Sequence, residues 1–170
     1  MAGTPNSWMN IPSSPQIDTK IKELTSNEPY CFKDPRFSYS LPVWRPHLSN
    51  CVFVGMFRDP TSTAASIVQF TKEFELMNSL EISFEEAIDA WTMQNRHILE
   101  QHRRQGDWLF LHLDQLIYEN GLGKLAEFTA AKLDRSFPKA DKCRTFSDMD
   151  VPREVTHVYQ ELCILAGFYQ

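Results

Sequence analysis

The chain contains 170 residues with a formal net charge of −5, and 42% of its residues are hydrophobic. This hydrophobic share supports a globular core, while the acidity argues against a general nucleic-acid binder or a binder of anionic membranes. No segment is long and apolar enough for a membrane span, and the first residues lack the basic and apolar stretches of a signal peptide. We therefore expect a cytoplasmic protein.

The amino-terminal region is predicted to be an extended arm over residues 1–16, which three prolines interrupt. A short amphipathic helix is expected over 17–24, followed by a brief strand over 30–33. The four cysteines lack the spacing of a metal site, so we expect no metal and we expect buried thiols at Cys31, Cys51 and Cys163.

Residues 51–57 form an unbroken apolar run, which predicts a strand buried on both faces. Asp59 can cap a following helix, and Pro60 suits its first turn. A helix is therefore predicted over 61–70, with one buried stripe formed by Ala64, Ile67, Val68 and Thr71.

The remaining elements alternate between helix and strand. Ser83 begins a capping box, and the helical pattern after it stops at Gly106. A strand is predicted over 109–113 and a helix over 122–131. Pro152 begins the last helix, whose expected stripe consists of Val155, Val158, Leu162 and Leu165. This alternation predicts an α/β protein with a parallel sheet.

Arg58 stands at the carboxyl end of the first well-marked strand, where open α/β sheets bind ligands. The helix start beside it offers free backbone N–H groups and the positive end of a dipole. Ser66 follows eight residues after Arg58 and shares a helix face with Ser62. An arginine fork with a hydroxyl across a helix start suits a phosphate dianion.

The Arg58-Asp59-Pro60 motif with Ser66 resembles the 3′-phosphate-binding segment of sulfotransferases that use 3′-phosphoadenosine 5′-phosphosulfate (PAPS). The Lys33-Asp34-Pro35-Arg36 run, followed by Leu-Pro-Val-Trp at 41–44, is similar to a segment of bacterial members of this family. The run 108–116 resembles a further strand, and the likeness covers residues 28–167 loosely. It implies a P-loop-NTPase-like parallel sheet flanked by helices, with PAPS as co-substrate and sulfonate transfer to a hydroxyl or amine acceptor.

The resemblance also implies roles for individual residues. Arg58 and Ser66 would bind the 3′-phosphate of the nucleotide. Lys33 would contact the transferred sulfonate or the leaving phosphate, although an ordinary strand-end lysine is the alternative. Asp34 is a candidate general base, and the alternative is that it pairs with Arg36 or caps the turn at Pro35. The family's histidine base has no counterpart after Lys33, and His112 is expected to be a satisfied core or strand-end histidine.

One family feature has no counterpart in the sequence. The loop that binds the 5′-phosphosulfate should follow a strand, and neither the 3–7 nor the 12–15 stretch does so. The chain therefore resembles a partial sulfotransferase-like domain over 17–170 that lacks the first strand-loop-helix unit. A non-catalytic fragment with residual nucleotide binding is the alternative function. The family's C-terminal glycine-rich loop is also missing, and Arg144 is a positional candidate to replace it.

The missing strand would be central in the family, between the strands at 51–57 and 108–113. An open slot there would leave backbone groups unpaired. We therefore expect either that these two strands pair directly or that another chain covers the gap, which would make the protein an oligomer.

Overall fold

The computed structural model describes residues 11–73, 81–136, 140 and 145–169. The chain divides into two compact units, Met1–Cys51 and Val52–Gln170.

The described part of the first unit contains two short α-helices. Helix α1 (Pro15–Thr25) begins two residues before the predicted start, because the Ser14 hydroxyl accepts a hydrogen bond from the backbone N–H of Ile17 at 3.3 Å. Helix α2 (Phe37–Trp44) leads directly into a 3₁₀ turn (Arg45–His47). Three buried aliphatic side chains form its small apolar interior: Ile21, Leu41 and Val43.

Two predictions for this unit are wrong. Residues 30–33 are not a strand, because this extended segment has no ladder partner within the described part of the chain. Cys31 is exposed rather than buried, since it lies on this unpaired segment, and Cys51 is only partly buried. The first ten residues of the predicted arm lie outside the described residues.

The second unit contains a parallel pair of strands, β1 (Phe53–Phe57) and β2 (Trp108–His112). The register joins Phe53 to Trp108 at one end and Phe57 to His112 at the other. The two strands are therefore hydrogen-bonded to each other directly, which confirms the first of the two expected arrangements.

Helices surround this pair. Helix α3 (Pro60–Glu73) packs on α4 (Phe84–His97), and a π-helical turn (Ile98–His102) extends α4. Three more helices complete the described part of the unit: α5 (Leu113–Tyr118), α6 (Gly121–Thr129) and α7 (Arg153–Ala166). The sequence analysis did not predict α5.

The core lies between one face of the strand pair and helices α3, α4 and α7. Phe57 and Phe110 from the strands meet Trp91 of α4 and Leu162 of α7. The predicted stripe of α3 is confirmed, because Ala64 and Thr71 are buried while Ile67 and Val68 pack against the core. In α7 three of four expected positions are buried; Leu165 is exposed, and Ala166 takes the inward position.

The protein is thus a mixed α/β structure with a two-stranded parallel sheet flanked by helices. None of the helices in the described ranges has the length and hydropathy needed to cross a membrane.

Candidate functional site

The carboxyl end of β1 leads straight into the amino terminus of α3. Asp59 caps this helix, since its Oδ1 accepts hydrogen bonds from the backbone N–H of Ser62 at 2.8 Å and from the Thr61 hydroxyl at 2.7 Å. Pro60 occupies the first helical position, where its missing N–H is harmless. The predicted cap is confirmed, and it holds Arg58 at the junction between strand and helix.

Arg58 and Ser66 both belong to the second unit and are both half-buried. Ser66 lies on α3 one helical turn beyond the buried Ser62. Within the described residues the Ser66 hydroxyl has no hydrogen-bond partner, so it is available to a ligand.

An irregular segment, Thr145–Ser147, contacts the start of α3; we call it the strap. The Arg58 guanidinium donates to the Thr145 carbonyl. The Ser147 carbonyl shares the single proton of the Thr61 hydroxyl with Oδ1 of Asp59. The Thr145 hydroxyl also donates to Oε1 of Gln69 at 3.2 Å. Within the described residues, the strap engages one of the five N–H groups of Arg58, and no other hydrogen bond occupies the remaining four.

The strap also carries an exposed aromatic ring beside Arg58. The guanidinium carbon of Arg58 lies 5.8 Å from the ring centroid of Phe146, within the range of a cation–π contact. Phe146 is 79% exposed.

His112 ends β2 at the same edge of the sheet as Arg58. Its Nδ1 accepts the backbone N–H of Asp114 at 3.2 Å, and its Nε2 lies 3.2 Å from the Tyr159 hydroxyl. Because Nδ1 accepts from an N–H, the ring proton belongs on Nε2, which donates to Tyr159. Phe168 stacks on the imidazole at 4.0 Å between centroids. The expectation of a satisfied strand-end histidine is confirmed.

Burial favours the neutral forms of His112, Tyr159 and Cys163. It lowers the pKa of His112, and nearby Asp114 and Asp59 oppose that shift by favouring the charged ring. Burial also raises the pKa of Tyr159 and that of Cys163, whose side chain contacts it. All three groups are consequently neutral near pH 7, while Arg58, Asp59, Asp114 and Glu119 are the charged groups of the described chain that act on His112.

Lys33 and Asp34 belong to the first unit. A fork from Arg36 holds the Asp34 carboxylate, with Nη2 to Oδ2 at 2.6 Å and Nε to Oδ1 at 2.9 Å. These hydrogen bonds lower the pKa of Asp34 to about 2. The geometry matches the pairing alternative for Asp34, since a carboxylate of such low basicity is a weak proton acceptor. Lys33 is exposed.

Sequence reasoning missed the strap, because its contacts with Arg58 and Thr61 join residues more than 80 positions apart. No local pattern encodes such a contact. Arg144, the positional candidate beside the strap in sequence, lies outside the described residues. Among the side chains that the structure describes, no cluster of three histidine, cysteine or acidic groups has the arrangement of a metal site.

No family model matches the chain in comparisons with known proteins, and no curated protein or solved structure matches it either. The residues of the site are therefore the basis for assigning a function.

Proposed function

We propose that the second unit binds a 3′-phosphorylated adenine nucleotide of the PAPS type, with Arg58 and Ser66 on the 3′-phosphate. The observation that carries the proposal is the position of Arg58 between the carboxyl end of β1 and the capped amino terminus of α3. An arginine fork, a hydroxyl and a helix start supply the donors that a phosphate dianion needs.

The proposed reaction class is transfer of the sulfonate from PAPS to a hydroxyl or amine acceptor. Such a transfer requires charge stabilisation on the moving group and a base for the acceptor proton. The resemblance of residues 33–36 implies Lys33 as the source of positive charge, while the fork from Arg36 leaves Asp34 too weakly basic for the second role. PAPS acts as a co-substrate, and no metal is required for these roles.

A second candidate function is nucleotide anchoring without transfer. The fork from Arg36 favours it, because a carboxylate held by two strong hydrogen bonds is a weak base. Anchoring of the nucleotide alone improves binding without accelerating the reaction.

A titration tests the phosphate assignment. We expect adenosine 3′,5′-bisphosphate to bind roughly 10- to 100-fold more tightly than adenosine 5′-monophosphate, the range expected when charged hydrogen bonds are gained. Arg58→Ala should abolish most of that preference, and Arg58→Lys should restore only part of it, since lysine lacks the fork. Isothermal titration calorimetry measures the dissociation constant of each nucleotide for the wild type and both variants.

Arg135→Ala is the matched control, because Arg135 is exposed and distant in sequence from the motif. Its affinities should equal those of the wild type. Equal affinity of the wild type for the two nucleotides would contradict the assignment. Incubation with labelled PAPS and a panel of phenols, sugars and amines then separates the two functions: a labelled product supports transfer, and binding without product supports anchoring.

A further inference from the structure

The strap contacts the same donors that surround the proposed phosphate position. Its Thr145 carbonyl accepts from Nη2 of Arg58, and its Ser147 carbonyl shares the proton of the Thr61 hydroxyl. A third contact joins the Thr145 hydroxyl to Oε1 of Gln69, further along α3, at 3.2 Å. Backbone oxygens of the same chain therefore lie at the junction between β1 and α3.

The contact at Arg58 reduces what the guanidinium can offer to an anion. Nη2 supplies one hydrogen to each of the two pairs of N–H groups through which an arginine binds an oxyanion. Because the Thr145 carbonyl takes one of these hydrogens, one pair is incomplete while the strap is in place. A phosphate bound at Arg58 would also lie near the negative end of the carbonyl dipole, and this repulsion would weaken its binding.

The strap belongs to a segment that buries little of its own surface. None of the residues 145–150 is buried, and Phe146 and Met149 are 79% and 53% exposed. The next residue, Val151, packs against the main core and lies two residues before α7. Segments with few buried contacts and exposed hydrogen bonds open at a low cost in free energy. The strap can therefore open up to Val151 while the core stays folded.

A phosphate dianion has the advantage over the strap at Arg58. A guanidinium bound to an oxyanion gains the attraction of opposite charges, which a neutral carbonyl lacks. We propose that the strap is an autoinhibitory gate. In the nucleotide-free protein its carbonyls occupy donors of Arg58 and Thr61, and a 3′-phosphate displaces the Thr145 carbonyl when it binds Arg58. This inference rests on the proposed function of Arg58.

The carbonyl resonance of Thr145 reports the displacement directly. Triple-resonance NMR of the whole chain detects it through the amide of Phe146, and a carbonyl carbon shifts upfield when it loses a hydrogen bond. Saturation with adenosine 3′,5′-bisphosphate should move the resonance upfield, toward its position in nucleotide-free Arg58→Ala, where the donor is absent. Adenosine 5′-monophosphate at the same concentration lacks the 3′-phosphate and should leave the resonance in place.

Thr145→Val loosens the strap without changing Arg58. Valine keeps the branched shape but lacks the hydroxyl that donates to Gln69, so the strap is open in a larger fraction of molecules before binding. Adenosine 3′,5′-bisphosphate should therefore bind about fivefold more tightly, the effect of one neutral hydrogen bond on a closed gate. Thr156→Val, the same change at an exposed position of α7, should leave the affinity unchanged. Calorimetric titration measures both variants.

The gate and the proposed function fail in different ways. The gate alone is overturned if the bisphosphate binds with its Arg58-dependent preference while the Thr145 carbonyl resonance stays in place or moves equally with adenosine 5′-monophosphate. It is also overturned if Thr145→Val binds the bisphosphate no more tightly than the wild type. If the wild type does not bind adenosine 3′,5′-bisphosphate, the gate and the nucleotide site are both overturned.

Discussion

At the scale of single residues, His112 lies beside the proposed site but has a structural role. Both ring nitrogens have partners, and the side chain is only 1% exposed. Tyr159 and Phe168 enclose the ring on two sides. The residue therefore fixes the end of β2 rather than moving protons to a substrate.

Protonation of His112 should destabilise the fold. Burial lowers the pKa of His112 in the folded protein, so the unfolded chain binds this proton more readily. The free energy of unfolding should therefore fall as pH drops below the ordinary histidine pKa of about 6.5, and it should be recovered above that pH. Urea denaturation between pH 5 and pH 8 measures this slope.

His112→Asn keeps an oxygen that can accept from the Asp114 N–H, but asparagine does not titrate. The free energy of unfolding should therefore depend less steeply on pH in this variant. Burial also lowers the pKa of His97, so some slope should remain. His157→Asn, at an exposed position of α7, is the control and should keep the wild-type slope. An unchanged slope in His112→Asn would show that other groups dominate the pH dependence.

At the scale of secondary-structure elements, the Asp59 cap of α3 has two opposite effects: it stabilises the helix start and it places a negative charge near the proposed phosphate site. Asp59 satisfies backbone donors at the helix start. Its charge also lies next to Arg58 in the chain, where a phosphate is proposed to bind, and like charges repel.

Asp59→Asn should therefore tighten the binding of adenosine 3′,5′-bisphosphate. Asparagine caps helices as well as aspartate does, so stability should change by less than about 0.5 kcal/mol. Removing one charge near the phosphate should improve affinity about fivefold at low salt, and the gain should shrink as salt screens the charges. Calorimetric titration at two ionic strengths checks this, and weaker binding by the variant would contradict it.

The elements with strong local signals could be predicted from the sequence. The capping box at Ser83 forms in full. The Ser83 hydroxyl accepts from the backbone N–H of Glu86, and the Glu86 carboxylate accepts from the backbone N–H of Ser83. Helix α2 was not predicted, because Pro42 lies inside it and proline normally interrupts a helix. Helix α5 was missed because its cap is His112, which the sequence places within an apolar run.

At the scale of the whole molecule, the apolar core is unevenly distributed. All twelve buried residues of the main cluster belong to the second unit, from Phe57 to Phe168. The first unit buries three aliphatic side chains among its described residues: Ile21, Leu41 and Val43.

The two units should consequently differ in local stability. Amide hydrogens in α4 and α7 should exchange at least about tenfold more slowly than those in α1 and α2, because opening the former exposes the main core. Hydrogen exchange followed by mass spectrometry, with peptides that separate these helices, measures the difference. Protection of α1 equal to that of α7 would show that the first unit opens only with the second.

The candidate site was predictable only where neighbours in sequence are neighbours in space. Arg58, Asp59 and Pro60 are consecutive, so the strand end and the helix cap follow from local rules. The pairing of Tyr159 with His112 and the strap over Arg58 depend on distant segments meeting, which no local rule specifies.

The register of the strand pair has a consequence for synthesis. Each residue of Phe53–Phe57 pairs with a residue 55 positions further along the chain. At translation rates of about 5 to 20 residues per second, β1 leaves the ribosome roughly 3 to 11 s before its partner is made. During that interval an apolar strand has both edges open, which is the condition in which nascent chains aggregate or bind chaperones.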